Sequence, residues 1–338
     1  MPAPTCTRFV RRSGGRVRRV LEEPLSVNNT PAESAESRIA RLSTEPFVSV
    51  GHNPGFFSGT RASIVDIWKH RELLGLLVRR ELRAKYKDSR LGIVWSLARP
   101  LAQLLIYYFA IGQVLGAARN TPDFAIFVFI GLTMWALFTD ILNTGVGSIV
   151  SNSGLVKKVY LPREIFPLAG VGSALFNFGV QLVILVIAFV ALKAPPLPDY
   201  LLLAPLALIT LVVFATAIGL ALAALNVYLR DIQHFVELAI TILFWASPIV
   251  YPLRFVHQHL HGNWLEQIYL NNPITLCIVS MQRALWSAGS TATHEDLVQY
   301  WPPNLEIRLL ITLGISLVLL WLAQRLFARL QGSFAQEL

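Results

Sequence analysis

Residues Leu77–Leu101 read LVRRELRAKYKDSRLGIVWSLARPL, a charged run that becomes apolar within a dozen positions. Six cations lie from Arg79 to Arg90, and Trp95 follows in the apolar part. Lysine and arginine collect on the cytoplasmic side of membrane spans, and tryptophan favours the level of the headgroups. The stretch therefore predicts the place where the chain first enters a bilayer from the cytoplasm.

The composition of the whole chain indicates an integral membrane protein. Of its 338 residues, 54% are hydrophobic and 14% are charged, against about 25% charged in an ordinary soluble domain. The net charge of +9 suits a protein beside an anionic cytoplasmic leaflet. Because the cations flank apolar segments and do not line a soluble face, we expect membrane lipids and no nucleic acid as partners. Cys6 and Cys277 form neither a metal motif nor a disulfide framework.

Apolar segments predict six membrane crossings, since one crossing by a helix takes about 20 apolar residues. The fifth segment is shorter than the others but nearly uncharged, and we expect it to span with help from its flanks. The predicted spans are Ile93–Leu115, Ala125–Val150, Leu168–Leu192, Tyr200–Val227, Phe235–Val250 and Ile307–Leu326.

Lysine and arginine in the flanks set the orientation of these spans. Residues 61–90 carry nine such cations, the link Val156–Ile165 adds three, and Arg325 and Arg329 follow the last span. The chain is therefore predicted to begin in the cytoplasm, cross six times and end in the cytoplasm. Usage rich in alanine, valine and arginine is typical of a high-GC bacterium, which indicates the bacterial cytoplasmic (inner) membrane.

The segment before the last span, about residues 252–305, is then predicted to lie outside. Its apolar stretch Pro273–Trp286 has about 14 residues, too few for a span, which indicates a re-entrant or interfacial helix. His257, His259 and His261 alternate in the same segment. Because they have no acidic neighbours in their loop, we expect them to be solvated and predict no metal site.

The sequence divides into three regions. Residues 1–60 predict a disordered basic cytoplasmic tail. Residues 61–90 predict an amphipathic helix at the membrane interface, which Ser63 and Asp66 begin in the form of a capping box. Residues 91–338 predict the six-helix transmembrane domain, so the fold class is all-α. Residues 61–90 are expected to lie on the membrane and to move with a partner protein. The alternative is a cluster of charge that only sets the orientation of the spans.

Few charged residues interrupt the predicted spans. Arg99 and Asp140 are the clearest, and ionisable residues inside a membrane are candidates for function. Arg99 is expected to reach back to the headgroups, to face a polar path, or to pair with Asp140. Small residues in GVGS (Gly145–Ser148) and AGVGSA (Ala169–Ala174) favour close approach of helices.

Motifs of enzyme chemistry are absent from the sequence. It contains no GxxxxGK[ST] phosphate-binding loop, so we do not expect this chain to bind ATP by that means. It also lacks the GxSxG and HExxH patterns and any Asp-x-Asp pair, so no catalytic residue is predicted.

Four stretches together resemble a known family. They are RRELRAKYKDSRLGIVWSLARPL (Arg79–Leu101), VKKVYLPREIFPLA (Val156–Ala169), NVYLRDIQHF (Asn226–Phe235) and FWASPIVYP (Phe244–Pro252). Their order and the six spans are similar to the permease subunit of type-2 ABC exporters of polysaccharides, which export O-antigen, teichoic acid or lipid-linked galactan. The resemblance runs from about residue 63 to the end, and nothing from it applies to the first 60 residues.

The resemblance implies a homodimer with the substrate path at its two-fold axis, and two copies of a separate P-loop ATPase that bind ATP and magnesium. It implies no cofactor on this chain. The helix from about Ser63 to Tyr86 would rest on the ATPase, and its end would gate substrate entry. The cationic stretch would meet lipid headgroups or the diphosphate of a lipid carrier through Arg79, Arg80, Arg83, Lys85, Tyr86, Lys87 and Arg90.

The resemblance also implies where the ATPase is coupled and where the path closes outside. The link around Val156–Ile165 corresponds to the coupling helix, where we expect Arg163 and Glu164 to face water. The segment around Leu265–Trp286 corresponds to the outer re-entrant helices. The predicted coupling residues are Lys157, Lys158, Pro162, Arg163, Glu164, Arg230 and Asp231.

Aromatic residues are frequent in and beside the spans. Most are expected to face lipid or to pack between helices, and a minority could line a conduit. Aromatic faces stack on the apolar faces of sugar rings and hold them weakly, which lets a polymer slide. The candidate residues for a glycan path are Trp95, Tyr107, Tyr108, Trp135, Phe176 and Trp245.

The sequence thus predicts the channel-forming permease of an ATP-driven exporter of a lipid-linked polysaccharide, such as a galactan or an O-antigen-like glycan. The chain is not expected to be an enzyme by itself. One alternative is a type-2 ABC permease for a drug or small lipid. Another is an ATP-independent carrier or channel, which should show paired charges within the membrane or inverted repeats. A membrane-embedded glycosyltransferase, which the missing acidic metal site disfavours, and a scaffold that transports nothing are more distant alternatives.

Overall fold

The computed structural model describes residues 58–86, 94–114, 116, 121–158, 161–196, 198–286, 288 and 300–338, and all regular structure among them is helical. Long apolar runs without internal charge favour helices, because only a helix satisfies its own backbone hydrogen bonds in an apolar medium. The helices are α1 (Ser58–Lys69), α2 (Arg71–Tyr86), α3 (Val94–Tyr107), α4 (Phe124–Ser151), α5 (Ser153–Lys158), α6 (Ile165–Leu192), α7 (Leu203–Tyr228), α8 (Ile232–Trp245), α9 (Leu253–Leu260), α10 (Trp264–Leu270), α11 (Pro273–Leu285), α12 (Leu305–Leu330) and α13 (Phe334–Glu337).

Four of the six predicted spans form helical segments long and apolar enough to cross a bilayer: Phe124–Ser151, Ile165–Leu192, Pro198–Tyr228 and Leu305–Ser333. The first predicted span is helix α3, which continues as a π-helical segment, Tyr108–Val114. The fifth is helix α8, which has only 14 residues. Six crossings therefore stay a prediction, and the all-helical membrane fold is confirmed.

Helix α8 is shorter than predicted because the chain bends after Trp245. Ser247 bonds back to the Leu243 carbonyl oxygen, and Pro248 follows, whose nitrogen has no hydrogen to donate to a helix. Helix α11 packs nearby with most of its side chains buried, and Gln282 Nε2 donates to the Pro248 carbonyl oxygen at 3.1 Å. The apolar stretch that includes Pro273–Leu285 thus forms a helix buried in the bundle, and its re-entrant path stays a prediction.

Helix α4 lies at the centre of the bundle. It contacts α6, α7, α8 and α11. In the most apolar 18-residue stretch of α4, 78% is buried inside the protein, against 22% for the same kind of stretch in α12. A helix that is apolar all round is suited to a fully buried position. Helices α6 and α7 pack on α4, and α12 packs on α7. These three helices leave apolar side chains exposed in this single chain.

Close helix contacts occur where the sequence places small residues. A Cβ atom on Gly145 would lie 3.4 Å from the Gly219 Cα atom of α7. A Cβ atom on Gly170 of α6 would lie 2.6 Å from Thr144 Oγ1 and 2.9 Å from Thr144 Cβ of α4. The prediction that these small residues allow close approach is therefore confirmed.

Replacing Gly170 by alanine should lower the stability of the protein. The added methyl group would overlap the Thr144 side chain and force α4 and α6 apart, at a cost of about 1–3 kcal/mol. Thermal unfolding of the detergent-solubilised protein measures this loss. Gly179→Ala is the matched control on the same helix, because no atom lies within 4 Å of its added Cβ atom. Equal unfolding temperatures for the two variants would contradict the tight contact.

The connections between the long helices gather at two ends of the bundle. One end, here called the α5 end, contains the link from α4 to α6 and the C-terminal α13, and there Tyr228 donates to the Leu330 carbonyl oxygen at 2.8 Å. At the other, the α11 end, Trp286 Nε1 donates to the Pro122 carbonyl oxygen at 2.9 Å. Successive long helices thus run in opposite directions, as a multi-pass protein requires.

The first described helix extends further toward the N-terminus than predicted. Helix α1 begins at Ser58, so Ser63 lies inside the helix and the predicted capping box at Ser63 and Asp66 is wrong. Ser63 Oγ instead accepts a hydrogen bond from Gln324 Nε2 of α12 at 3.0 Å. The segment predicted as one interface helix is divided at His70 into α1 and α2.

Candidate functional site

Helix α2 packs along the start of helix α6. Leu77 of α2 is buried in a cluster with Ile165 and Ala169 of α6. Val78 lies against Gly172, where a Cβ atom would come 2.7 Å from the Val78 Cγ2 atom. Apolar side chains on one side of α2 therefore pack on the bundle, whereas Ile64 and Trp68 of α1 are exposed.

The C-terminal end of α2 reaches a charged group within the bundle. Lys85 Nζ lies 3.9 Å from Asp140 Oδ2, and Asn177 Nδ2 donates to the same oxygen at 2.9 Å. These three residues, on α2, α4 and α6, are here called the α2 junction. Asp140 lies eleven residues before the end of α4 at Ser151, which is roughly 16 Å along the helix. The end of α2 is therefore near the middle of α4.

Asp140 was singled out in the sequence as a charge within a span, and the structure gives it Lys85 and Asn177 as partners. Arg99 had been considered as a possible partner of Asp140, and the structure does not describe the Arg99 side chain. Lys85 had been assigned to the headgroups.

The other cations of α2 lie mostly on its exposed side. Arg79 and Arg83 are exposed, and the Arg80 guanidinium donates to Asn152 Oδ1 in the turn between α4 and α5. Burial raises the pKa of the Glu81 carboxyl above its usual value, although the charge of Arg80 opposes the shift. Arg79, Arg80, Arg83 and Lys85 are here called the basic strip of α2. The Tyr86 side chain, Lys87 and Arg90 lie outside the described residues.

The predicted coupling residues lie at the α5 end. Lys157, Lys158, Arg230 and Asp231 are exposed, and Pro162 is half-buried. The Arg163 guanidinium carbon lies 5.7 Å from the centroid of the Phe334 ring of α13. Most of this set therefore forms an accessible charged surface.

Glu164 departs from the prediction that it faces water. Only 4% of its surface is exposed, and it is the N-cap residue of α6. A carboxylate at the N-terminus of a helix is favoured by the partial positive charge there. The expectation of a solvent-facing Glu164 is therefore wrong.

Four aromatic rings meet where α3, α4 and α8 come together. The Phe244 ring centroid lies 5.9 Å from that of Tyr107, 5.5 Å from that of Trp135 and 5.4 Å from that of Trp245. Trp135 is 8% exposed, whereas Trp245 is 57% exposed, so this aromatic cluster runs from the interior to the surface. Pairs of rings at such distances attract each other.

The structure brings three of the six predicted path aromatics into this cluster. Tyr108 follows Tyr107 and packs against Phe109 at 5.6 Å, and Phe176 lies on an exposed face of α6. The Trp95 side chain lies outside the described side chains. Phe244, which joins the other three rings, was not predicted as a path residue, although it begins the FWASPIVYP stretch and precedes Trp245.

Helix α8 contributes little to the packing of this chain. Only Val236 is buried among its 14 residues. Its exposed side chains include Gln233, Glu237 and Thr241 as well as apolar residues. Because a glutamate costs free energy against lipid, this mixed face is suited to a polar path or to a partner chain.

Comparisons with known proteins point in one direction. The sequence profile of the family described as ABC-2 type transporter matches residues 72–286. The O-antigen export system permease protein RfbA of Myxococcus xanthus is 29% identical over 273 residues, which cover 81% of this chain and 98% of that protein. The protein of the same name from Klebsiella pneumoniae is 28% identical, covering 79% and 95%. The polysialic acid transport protein KpsM of Escherichia coli is 25% identical, covering 52% and 68%.

Proposed function

Because the chain belongs to the ABC-2 type transporter family, we propose that it is the permease subunit of an ATP-driven polysaccharide exporter in the bacterial cytoplasmic membrane. Relatives named as permeases for O-antigen and as a transport protein for polysialic acid support a polysaccharide as the substrate class. The matches to the O-antigen permeases extend over nearly the whole length of those proteins.

The aromatic cluster beside the exposed face of α8 is the observation that carries this proposal. Trp245 presents an open aromatic ring, and Phe244 fixes it against the buried Trp135. Glu237 and Thr241 add hydrogen-bonding groups on the same short helix. Rings that stack on sugars, together with polar groups for their hydroxyls, suit a path through which a glycan slides.

A second copy of this chain would complete the path. Most side chains of α8 are exposed in the single chain, both apolar ones such as Phe235 and Leu238 and polar ones such as Glu237 and Thr241. Two copies facing each other across a two-fold axis would cover the apolar part and enclose the polar part. The proposed assembly is therefore a homodimer.

A separate P-loop ATPase, in two copies, would drive the transport. The sequence has no phosphate-binding loop of its own. The α5 end offers Lys157, Lys158, Arg230 and Asp231 to such a subunit. This proposal puts the α5 end, both chain termini and the basic strip of α2 in the cytoplasm, and it includes six crossings, with α3 and α8 as the two short ones.

The basic strip of α2 supports a lipid-linked substrate. Arg79, Arg83 and Lys85 are exposed cations on a helix that ends within the bundle. Cations of this kind bind phosphate oxygens, with arginine able to donate two bonds at once. The diphosphate of a lipid carrier would enter here ahead of its glycan, which we propose is galactan or O-antigen-like.

The proposal is tested by purifying the protein gently from its native membrane and identifying what accompanies it. We expect a P-loop ATPase at one copy per permease, and uptake of lipid-linked glycan into inverted vesicles that requires ATP. Transport of a drug or small lipid in place of glycan would indicate the related ABC-2 alternative. A pure homo-oligomer that moves a solute without ATP would contradict the proposal and favour a carrier or channel.

A further inference from the structure

Helices α9 and α10 form a tight pair near the α11 end of the bundle. The turn between them contains Gly262, whose φ of +77° lies in the left-handed region that glycine adopts without strain. His257 lies in α9 and His261 follows its last residue, four positions on, so both face the same side. Glu266 lies in the first turn of α10. The turn thus brings two imidazoles and one carboxylate together.

The three groups are close enough to share one ion. His257 Nδ1 lies 2.6 Å from Glu266 Oε1. One ligand atom from each of His257, His261 and Glu266 lies within 4.8 Å of the other two. Ligands about 2.0–2.2 Å from a tetrahedral ion are about 3.4 Å apart. To bind one ion, the exposed His261 ring would rotate toward the other two groups, and His257 Nδ1 and Glu266 Oε1 would move apart by about 0.8 Å.

The site is held in place by its surroundings. Glu266 is 5% exposed, so its carboxylate is fixed within the protein. The His257 ring stacks on the Tyr300 ring with centroids 3.7 Å apart and planes inclined by 7°. Burial and the nearby charge of Glu266 raise the pKa of Tyr300, which keeps that phenol neutral. A buried carboxylate beside a stacked imidazole is a preorganised pair of ligands.

We propose that His257, His261 and Glu266 bind one Zn²⁺ ion, with water as the fourth ligand. Two imidazole nitrogens and a carboxylate oxygen are a ligand set that zinc accepts. The ion would replace the proton between His257 and Glu266, and that proton would leave to solvent. Bound zinc would join α9 to α10 and thereby stiffen this segment. The inference does not depend on the proposed transport function.

His259 is the matched control that the chain provides. It lies two residues from each of the other histidines, and its Nδ1 contacts the Phe255 carbonyl oxygen of its own helix at 2.8 Å. It is exposed and is not part of the three-residue group. An effect of His261→Ala that His259→Ala lacks would therefore reflect the site and not the number of histidines.

The test uses full-length protein purified through a tag without histidines, equilibrated with micromolar Zn²⁺ and dialysed. Elemental analysis should find one zinc per chain in the wild type and in His259→Ala. His261→Ala and Glu266→Gln should bind at least about tenfold more weakly, because loss of even an outer partner costs a metal site 10–100-fold. Affinity should be weaker at acidic pH, since protons compete with the ion for the imidazole nitrogens.

Zinc should also raise the unfolding temperature of the wild type and of His259→Ala, since a ligand that binds only the folded state stabilises it. His261 is exposed, so its replacement should leave the fold intact and keep the test valid if Glu266→Gln misfolds. Equal zinc content and equal zinc-induced stabilisation in His261→Ala and His259→Ala would overturn the proposal. So would a wild-type protein that retains no zinc.

Discussion

Trp245→Ala is expected to reduce ATP-dependent glycan export to about one tenth, while the permease still assembles with its partners. The ring is more than half exposed at the surface end of the aromatic cluster, so its removal leaves the buried part of the cluster in place. Aromatic contacts contribute about 0.5–1.5 kcal/mol each, and 1.4 kcal/mol corresponds to a factor of ten. Two copies of the chain would lose the ring on both sides of the path.

Export is measured with inverted vesicles that contain equal amounts of each variant. Trp245→Tyr retains an aromatic face and should retain most of the export. Trp264→Ala is the control, because Trp264 is 68% exposed but lies on α10, away from the cluster. If Trp245→Ala and Trp264→Ala export equally well, the aromatic cluster does not hold the glycan.

Helix type and the long spans could be predicted from sequence because they depend on local chemistry. About 20 apolar residues without charge form a helix in a membrane whatever the rest of the chain does, which is why α4, α6, α7 and α12 were found. The end of α8 was missed because a weak break at Ser247 and Pro248 competes with an apolar run that continues to Val250. The start of α1 was predicted wrongly because the pattern of a capping box, here at Ser63 and Asp66, also occurs by chance inside helices.

The members of the candidate site could be predicted only one at a time. Asp140 stands out because a carboxylate inside an apolar span is costly. Its partner Lys85 lies 55 positions earlier, and only the packing of α2 on α6 brings the two together. Burial of Glu164 likewise depends on tertiary contacts. Glu266, the acidic neighbour of His257, was missed because it lies on the next helix, which the turn at Gly262 brings back toward α9.

The α2 junction gives the second large effect, through reversal of one charge. An ion pair 4 Å apart is worth about 1 kcal/mol in water and about 4 kcal/mol at an effective dielectric constant of 20. Both side chains are partly exposed, which moves the attraction between Lys85 and Asp140 toward the lower figure. Lys85→Glu changes this attraction into a repulsion of similar size and should push the end of α2 away from α4 and α6.

We expect Lys85→Glu to lower export by about tenfold. A loss of about 1.4 kcal/mol from the free energy that holds α2 in its packed position corresponds to this factor. The double variant Lys85→Glu with Asp140→Lys restores opposite charges and should recover a substantial part of the export. Lys69→Glu makes the same change of charge on the exposed end of α1 and should have little effect. If the double variant exports no better than Lys85→Glu alone, Lys85 acts on headgroups or substrate and not through Asp140. Recovery would instead show that the position of α2, set by a charge within the bundle, controls export.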